Sequence, residues 1–278
     1  MAILILTDSA SDITAAELTT QQISCVPLSV IFGDTTYETL NTNDFYHLLT
    51  TSGIFPHTSQ PSPERFCQVF EAAKERGDSV IAILISSALS GTYQSAVLAK
   101  NIVDYDNIYL IDSLNATVGM RLLIDEAVRM RDAGHDAEEI VSALEDLKSR
   151  IRLLVIVDTL EYLQKGGRLS KAAASIGTLA QLKPLVTVIP EGTVSVIGKA
   201  IGKNRAAQTL LKEFALHKAD PNYPAYPVFS QFPDNCDLLL KKLSVQAPDL
   251  SFKDPVNMGA IIGTHAGPGA YGIAYIEA

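Results

Sequence analysis

Short apolar runs that end in hydroxyl and carboxylate residues recur along the first half of the chain. Residues 3–6 (Ile-Leu-Ile-Leu) lead into Thr7-Asp8-Ser9-Ala10-Ser11-Asp12, and a helical pattern follows from Ile13. Residues 80–85 repeat the arrangement, ending in Ser86-Ser87-Ala88-Leu89-Ser90-Gly91-Thr92 before another helical pattern. Residues 108–111 do so again, ending in Asp112-Ser113 ahead of an amphipathic stretch over 118–132. Buried strands that feed helices predict a mostly parallel sheet with flanking helices. In such sheets ligands sit beyond the carboxyl ends of the strands, and here those ends carry Ser, Thr and Asp.

Between these units, residues 54–63 contain Pro56, Pro61 and Pro63 and predict a loop. Pro63 suits the first turn of a helix over 64–76, with Ser62 as its N-cap. A charged helix over 137–150 leads into the second half. There the pattern predicts a strand over 153–157, a helix over 159–165 stopped by Gly166-Gly167, and a helix over 171–181. A hairpin follows, 184–189 and 193–197 around Pro190-Glu191-Gly192. Helices over 205–217 and 235–245 surround a strand near 228–231. Two last strands, 258–263 and 271–276, flank His265-Ala266-Gly267-Pro268-Gly269. The expectation is an α/β protein of two domains: residues 1–150 with a mostly parallel sheet and flanking helices, and 151–278 with a mixed sheet.

Composition narrows the function classes. Of 278 residues, 47% are apolar and 19% charged, an oily balance whose excess belongs to the interior. The longest apolar runs are far too short to span a bilayer. Net charge is −9 and no long basic run occurs, which argues against nucleic acid. The first residues lack the basic start of a signal peptide and run straight into a strand. Cys25, Cys67 and Cys236 are scattered, with no CxxC or Cys/His cluster, so no metal site or disulfide framework is expected. A cytoplasmic, soluble protein without cofactor is the reading.

The candidate chemistry is sparse. Ser86–Thr92 lies between a strand and a helix, where unpaired backbone N–H groups and the hydroxyls of Ser90 and Thr92 suit a carboxylate or phosphate. The alternative is simple N-capping by Ser87 or Ser90, and spacing alone leans slightly to it. In Asp8–Asp12, Ser11 or Asp12 reads as a cap, since acidic side chains repel an anion. Thr58 and Ser59 lie in the proline-stiffened loop. His265, before the glycine-rich turn, is a general base, a ligand-orienting group or a surface residue. Gly166-Gly167 reads as a helix C-cap from which Arg168 projects toward an anion or a partner. Lys199, Lys203 and Arg205 form a second small basic cluster.

Four stretches carry a resemblance that runs over nearly the whole chain. They are Thr58-Ser59-Gln60-Pro61-Ser62-Pro63, Ser86-Ser87-Ala88-Leu89-Ser90-Gly91-Thr92-Tyr93, Asp158-Thr159-Leu160-Glu161-Tyr162-Leu163-Gln164-Lys165-Gly166-Gly167-Arg168-Leu169, and Thr264-His265-Ala266-Gly267-Pro268-Gly269. In this order they resemble the DegV family of fatty-acid-binding proteins. The resemblance implies a two-domain α/β fold with a lipid tunnel. It also implies that Ser90 and Thr58 bind the fatty-acid carboxylate and that His265 joins their hydrogen-bond network. Bacterial members serve as the binding subunit of a fatty acid kinase, whose separate ATP-binding subunit makes an acyl phosphate for phospholipid synthesis. Arg168, Lys199, Lys203 and Arg205 would then be docking residues. The run holding the last three has fewer Lys and Arg than the family often shows, and the stretch 33–43 is short.

Two other readings compete. In one, Ser90 is the nucleophile and His265 the base of an acyl hydrolase or transferase, although Ser90 does not sit in Gly-x-Ser-x-Gly. In the other, His265 is a phosphoacceptor on the same kind of fold.

Overall fold

A computed structural model describes residues 2–169 and 181–278. The helix read over 171–181 falls almost wholly on residues 170–180, outside those described. The first half runs β1 (Ile3–Asp8), α1 (Ala15–Thr20), β2 (Ile23–Val26), β3 (Ser29–Phe32), β4 (Thr35–Tyr37), α2 (Thr42–Thr51), β5 (His57–Ser59), α3 (Pro63–Arg76), β6 (Ser79–Leu84), α4 (Thr92–Val103), β7 (Ile108–Asp112), α5 (Thr117–Asp132) and α6 (Ala137–Leu147). Strands β1, β2, β6 and β7 form an all-parallel sheet in the order β2-β1-β6-β7. Every residue of β6 is buried, as expected of a strand covered by helices on both faces.

The second half supplies β8 (Ile151–Ile156), α7 (Glu161–Lys165), β9 (Leu182–Val188), β10 (Val194–Ile201), α8 (Lys203–Leu216), β11 (Tyr226–Phe229), α9 (Asp234–Gln246), β12 (Val256–Asn257), α10 (Ala260–Ala266) and β13 (Tyr271–Ile276). Its six strands form one mixed sheet, β10-β9-β8-β13-β11-β12, antiparallel except for β11–β12.

Helix α5 sits between the two sheets, packing on β1 and β6 of the first and on β8, β11 and β13 of the second. Only one apolar stripe is expected of an amphipathic helix, yet α5 is buried nearly all round, including Arg121 and Glu126. Its charges are accommodated by partners. Arg121 pairs with Glu17 and stands 4.8 Å over the Tyr226 ring, and the Tyr226 hydroxyl donates to Asp125. A buried charge is tolerable only when so paired.

Three further expectations are corrected, and a fourth, the Ser62 cap, holds in position. Residues 258–263 are not a strand: β12 ends at Asn257 and α10 begins at Ala260. Packing against α2 decides this. A Cβ at Gly263 would lie 2.6 Å from Phe45 Cε1 and 2.7 Å from the Tyr46 hydroxyl, so the bare glycine backbone lets α10 lie directly on those rings. The loop over 54–63 contains strand β5, because the three residues after Pro56 are free to pair with β3, Thr58 opposite Val30. Neither Ser11 nor Asp12 caps α1. Thr14 does so in a reciprocal capping box with Glu17. Ser62 stands at the N-cap of α3, but its side chain makes no capping bond to the helix, which opens on Pro63.

Candidate functional site

An apolar pocket opens between the two sheets, with about 780 Å³ of empty space counted out through its open mouth. Leu153, Val155 and Val157 line it from β8 and the residue after it, Val186 and Val188 from β9, and Ile261 and Ile262 from α10. Apart from Thr58, Ser90, Thr117, Arg168, Thr187 and His265, every described residue on its wall is apolar. Its greasy lining with few polar groups is that of a small-molecule site.

Four of the six polar residues meet at one place, and each is held by a different element. β5 holds Thr58, whose hydroxyl lies 2.9 Å from His265 Nε2. His265 comes from the last turn of α10, not from a turn between strands. Its ring rests on Gly166, where a Cβ would stand 2.2 Å from Nδ1. Gly166 and Gly167 end α7 in a Schellman motif: the Arg168 N–H donates to Leu163 O, the Gly167 N–H to Gln164 O, and Gly167 takes the left-handed conformation (φ +71°). That turn throws the Arg168 side chain back onto the cavity wall. There Nε donates to Leu89 O and Nη1 to Gly166 O.

Ser90 precedes α4. Its hydroxyl is 2.8 Å from that of the buried Thr92 and accepts weakly from the Thr92 N–H at 3.3 Å. The N-cap position of α4 is Gly91, not Ser87 or Ser90. Ser87 and Ser86 are engaged elsewhere, the Ser87 N–H with Asp112 and the Ser86 hydroxyl with Gly192 O. Gln60, to which sequence reasoning assigned no role, fastens the Thr58 strand to the Ser90 turn. It lies against Gly91, where a Cβ would fall 1.9 Å from Oε1, and its amide donates to Ser95.

His265 Nδ1 is buried and has no hydrogen-bond partner among the described residues. A buried orphaned N–H is rarer than an unused acceptor, which assigns the ring proton to Nε2. His265 then donates to Thr58 Oγ1, and the Thr58 hydroxyl proton is free to point at a ligand. Burial, and then the charge of Arg168, lower the His265 pKa from 6.5 to about 3. The imidazole therefore stays neutral at physiological pH. In NMR spectra its ring signals are expected to show no titration between about pH 5 and 8; a midpoint near the ordinary value would contradict this placement. The linkage sign follows. Below its ordinary pKa the unfolded chain takes up a proton that the folded ring refuses, so this group lowers stability as pH falls from 6.5 toward about 3.

The remaining basic candidates stand apart from this site. Lys199 on β10, and Lys203 and Arg205 in the first turn of α8, are exposed. Lys199 is five residues along β10 from the cavity-lining Val194, roughly 16 Å at strand rise. The nucleophile–base pair needed by a serine hydrolase is not made, since His265 engages Thr58 while Ser90 engages Thr92. No group of three or more His, Cys, Asp or Glu able to hold a metal occurs among the described residues. No helix among them is long and apolar enough to cross a membrane.

A family model described as "Uncharacterised protein, DegV family" matches residues 2–278. A DegV domain-containing protein of Caldanaerobacter subterraneus is 35% identical over 280 residues, covering 99% of each chain. Among solved structures, a DegV family protein from Thermus thermophilus described by its fatty acid binding superposes with a TM-score of 0.88 at 32% identity over 100% of both chains. A stearic acid-binding protein from Eubacterium ventriosum gives 0.88 at 30% identity over 100% of this chain and 98% of the other.

Proposed function

The chain belongs to the DegV family, and on that premise we propose that it binds a long-chain fatty acid in the apolar cavity. Thr58 and Ser90 hold the carboxylate, His265 orients the Thr58 hydroxyl, and the acid is presented in the cytoplasm to a separate ATP-dependent kinase for acyl phosphate formation. The observation that carries the binding reading is the Thr58–His265 pair, set beside Arg168 and Ser90 in a wall that is otherwise nearly all aliphatic. A chain of about sixteen carbons, at roughly 0.8 kcal/mol per buried methylene, supplies on the order of 10 kcal/mol before association entropy is subtracted. The acyl chain thus provides affinity. The polar cluster offsets the cost of burying the carboxylate and fixes its position.

Two features support the kinase hand-over. The chain has no Gly-x-x-x-x-Gly-Lys-Ser/Thr phosphate loop, so ATP and its metal are left to the partner. Hydroxyl donors leave the carboxylate oxygens nucleophilic, and phosphoryl transfer chiefly needs positioning and charge neutralisation. Arg168 contributes positive charge next to the head group while its donors are partly committed to Leu89 O and Gly166 O. The exposed Lys199, Lys203 and Arg205 are the proposed docking residues.

Native mass spectrometry of the purified protein tests the binding. A co-purified mass matching a long-chain fatty acid is expected. An unliganded mass unchanged after adding oleate would overturn it. For the hand-over, an ATP-dependent fatty acid kinase subunit, ATP and hydroxylamine added to the loaded protein should yield an acyl hydroxamate. Its absence, with the lipid still bound, would remove that step alone.

A further inference from the structure

Asp12 is half-buried, lies in the left-handed region at φ +55°, and spans three segments distant in sequence. Its Oδ1 accepts from the Gly259 N–H at 2.8 Å, and its Oδ2 from the Thr117 hydroxyl at 2.6 Å. Gly259 is the N-cap of α10, the helix that carries Ile261, Ile262 and His265 into the cavity. A Cβ at Gly259 would come within 3.0 Å of Asp12 Oδ1, so α10 starts flush against the carboxylate. Thr117 opens α5 and lines the cavity itself, and it too is left-handed (φ +48°), an uncommon state for a β-branched residue. Two strained residues joined by one short hydrogen bond persist only where their surroundings hold them, and such strain concentrates at functional positions.

We propose that Asp12 is a positioning residue for the ligand cavity, a latch that sets α10 and its His265 against α5 and the loop after β1 and so slows ligand release. The proposal rests on the fatty-acid reading for its ligand. The groups facing Asp12 are Asp8 from β1, Arg121 from α5, itself paired with Glu17, and the Tyr46 hydroxyl from α2, which donates to Met258 O. Glu38, across the adjoining cleft, is paired with Arg65. The neighbouring Asp8 carboxylate accepts instead from the Ala10 and Ile85 N–H groups.

Asparagine distinguishes the latch from a merely structural carboxylate. At position 12 it can accept from Gly259 through Oδ1 and donate to Thr117 through its amide, keeping both bonds without the charge. The experiment follows palmitate transfer from the loaded full-length protein to phosphatidylcholine vesicles. D12N should release nearly as slowly as wild type, and D12A about ten-fold faster, having lost both bonds. D12N release as fast as D12A, or D12A release equal to wild type, overturns the proposal. Exchange of the Gly259 amide in the unliganded protein reads the latch without lipid. Faster exchange in D12A than in wild type and D12N, compared at one pH, supports the latch even if palmitate never binds; identical exchange in all three sinks it.

Discussion

Replacing Thr58 with valine is expected to weaken binding of a long-chain fatty acid by about ten- to a hundred-fold with little change in thermal stability. Valine keeps the shape and suits a strand, so β5 should still pair with β3. What disappears is the one hydroxyl that His265 orients toward the ligand. A hydrogen bond to a charged group contributes about 1.5–3 kcal/mol, the source of that range. The acyl chain would still enter, because its burial does not depend on the head group. The acid should therefore fall toward the affinity of the matching fatty alcohol, which T58V should leave almost unchanged. Thr58→Ser, which keeps the hydroxyl, should restore most of the loss. Titration calorimetry of acid and alcohol against the three proteins measures this directly. Equal affinity of wild type and T58V for the acid would place the carboxylate elsewhere. Ser90→Ala should cost less, since the Thr92 hydroxyl, now 2.8 Å from Ser90, stands ready to take over part of its role.

Much of this arrangement is written in local patterns. The apolar runs that became β1, β6 and β7 are readable because strands covered on both faces need no polar alternation. The glycines after α7 are readable because few residues other than glycine enter the left-handed C-cap at no cost. The proposed head-group residues, by contrast, are anonymous in isolation. Thr58 and His265 are 207 positions apart, and nothing local to either says that they touch. Only the joint resemblance to the DegV family named them as a set. Arg168 shows a different limit: its residue type suggests an anion or a partner equally well, and only the turn at Gly166-Gly167 aims it at the cavity.

The misread segments share a cause. Residues 258–263 are short and apolar, and a short apolar run has no period that separates strand from helix. Its fate is decided by α2 rings more than two hundred residues earlier and by Asp12 at the Gly259 N–H. Helix α5 has charges at helical spacing, which reads as a solvated face, yet a second sheet closes over that face and the charges find Glu17, Tyr226 and one another. Asp12 was legible as a polar residue after a strand, but its distinction from Asp8 lies in what donates to it. Asp8 accepts from two backbone N–H groups, whereas Asp12 accepts from one N–H and one hydroxyl. A hydroxyl can reverse its role and a backbone N–H cannot, which is why Asn is tolerable at 12 and not at 8.

The largest effect on stability is expected from Gly272→Ala. Gly272 sits in β13 opposite Val155 of β8, near the middle of the six-stranded sheet. A Cβ there would lie 2.0 Å from Leu154 O, 2.8 Å from Val155 Cα and 3.0 Å from Leu154 C. Every one of those atoms is backbone, so no side chain can swing away to make room. Strand β8 would have to leave β13, and β8 also carries Leu153 and Val155 on the cavity wall. Overpacking usually costs about 1–3 kcal/mol where side chains can adjust, and here the cost should reach or exceed the top of that range. A loss of about 3 kcal/mol corresponds to a fall in melting temperature of roughly 6–12 °C for a domain of this order of size. Gly198→Ala is the control: its new Cβ would meet the Thr209 methyl at 3.0 Å and the Leu185 side chain at 3.5 Å, contacts that side-chain movement can relieve. Thermal unfolding followed by circular dichroism should separate the two variants by several degrees. A G272A protein that melts with wild type would mean that β8 and β13 are not so closely apposed, and the cavity wall built on Val155 would have to be redrawn.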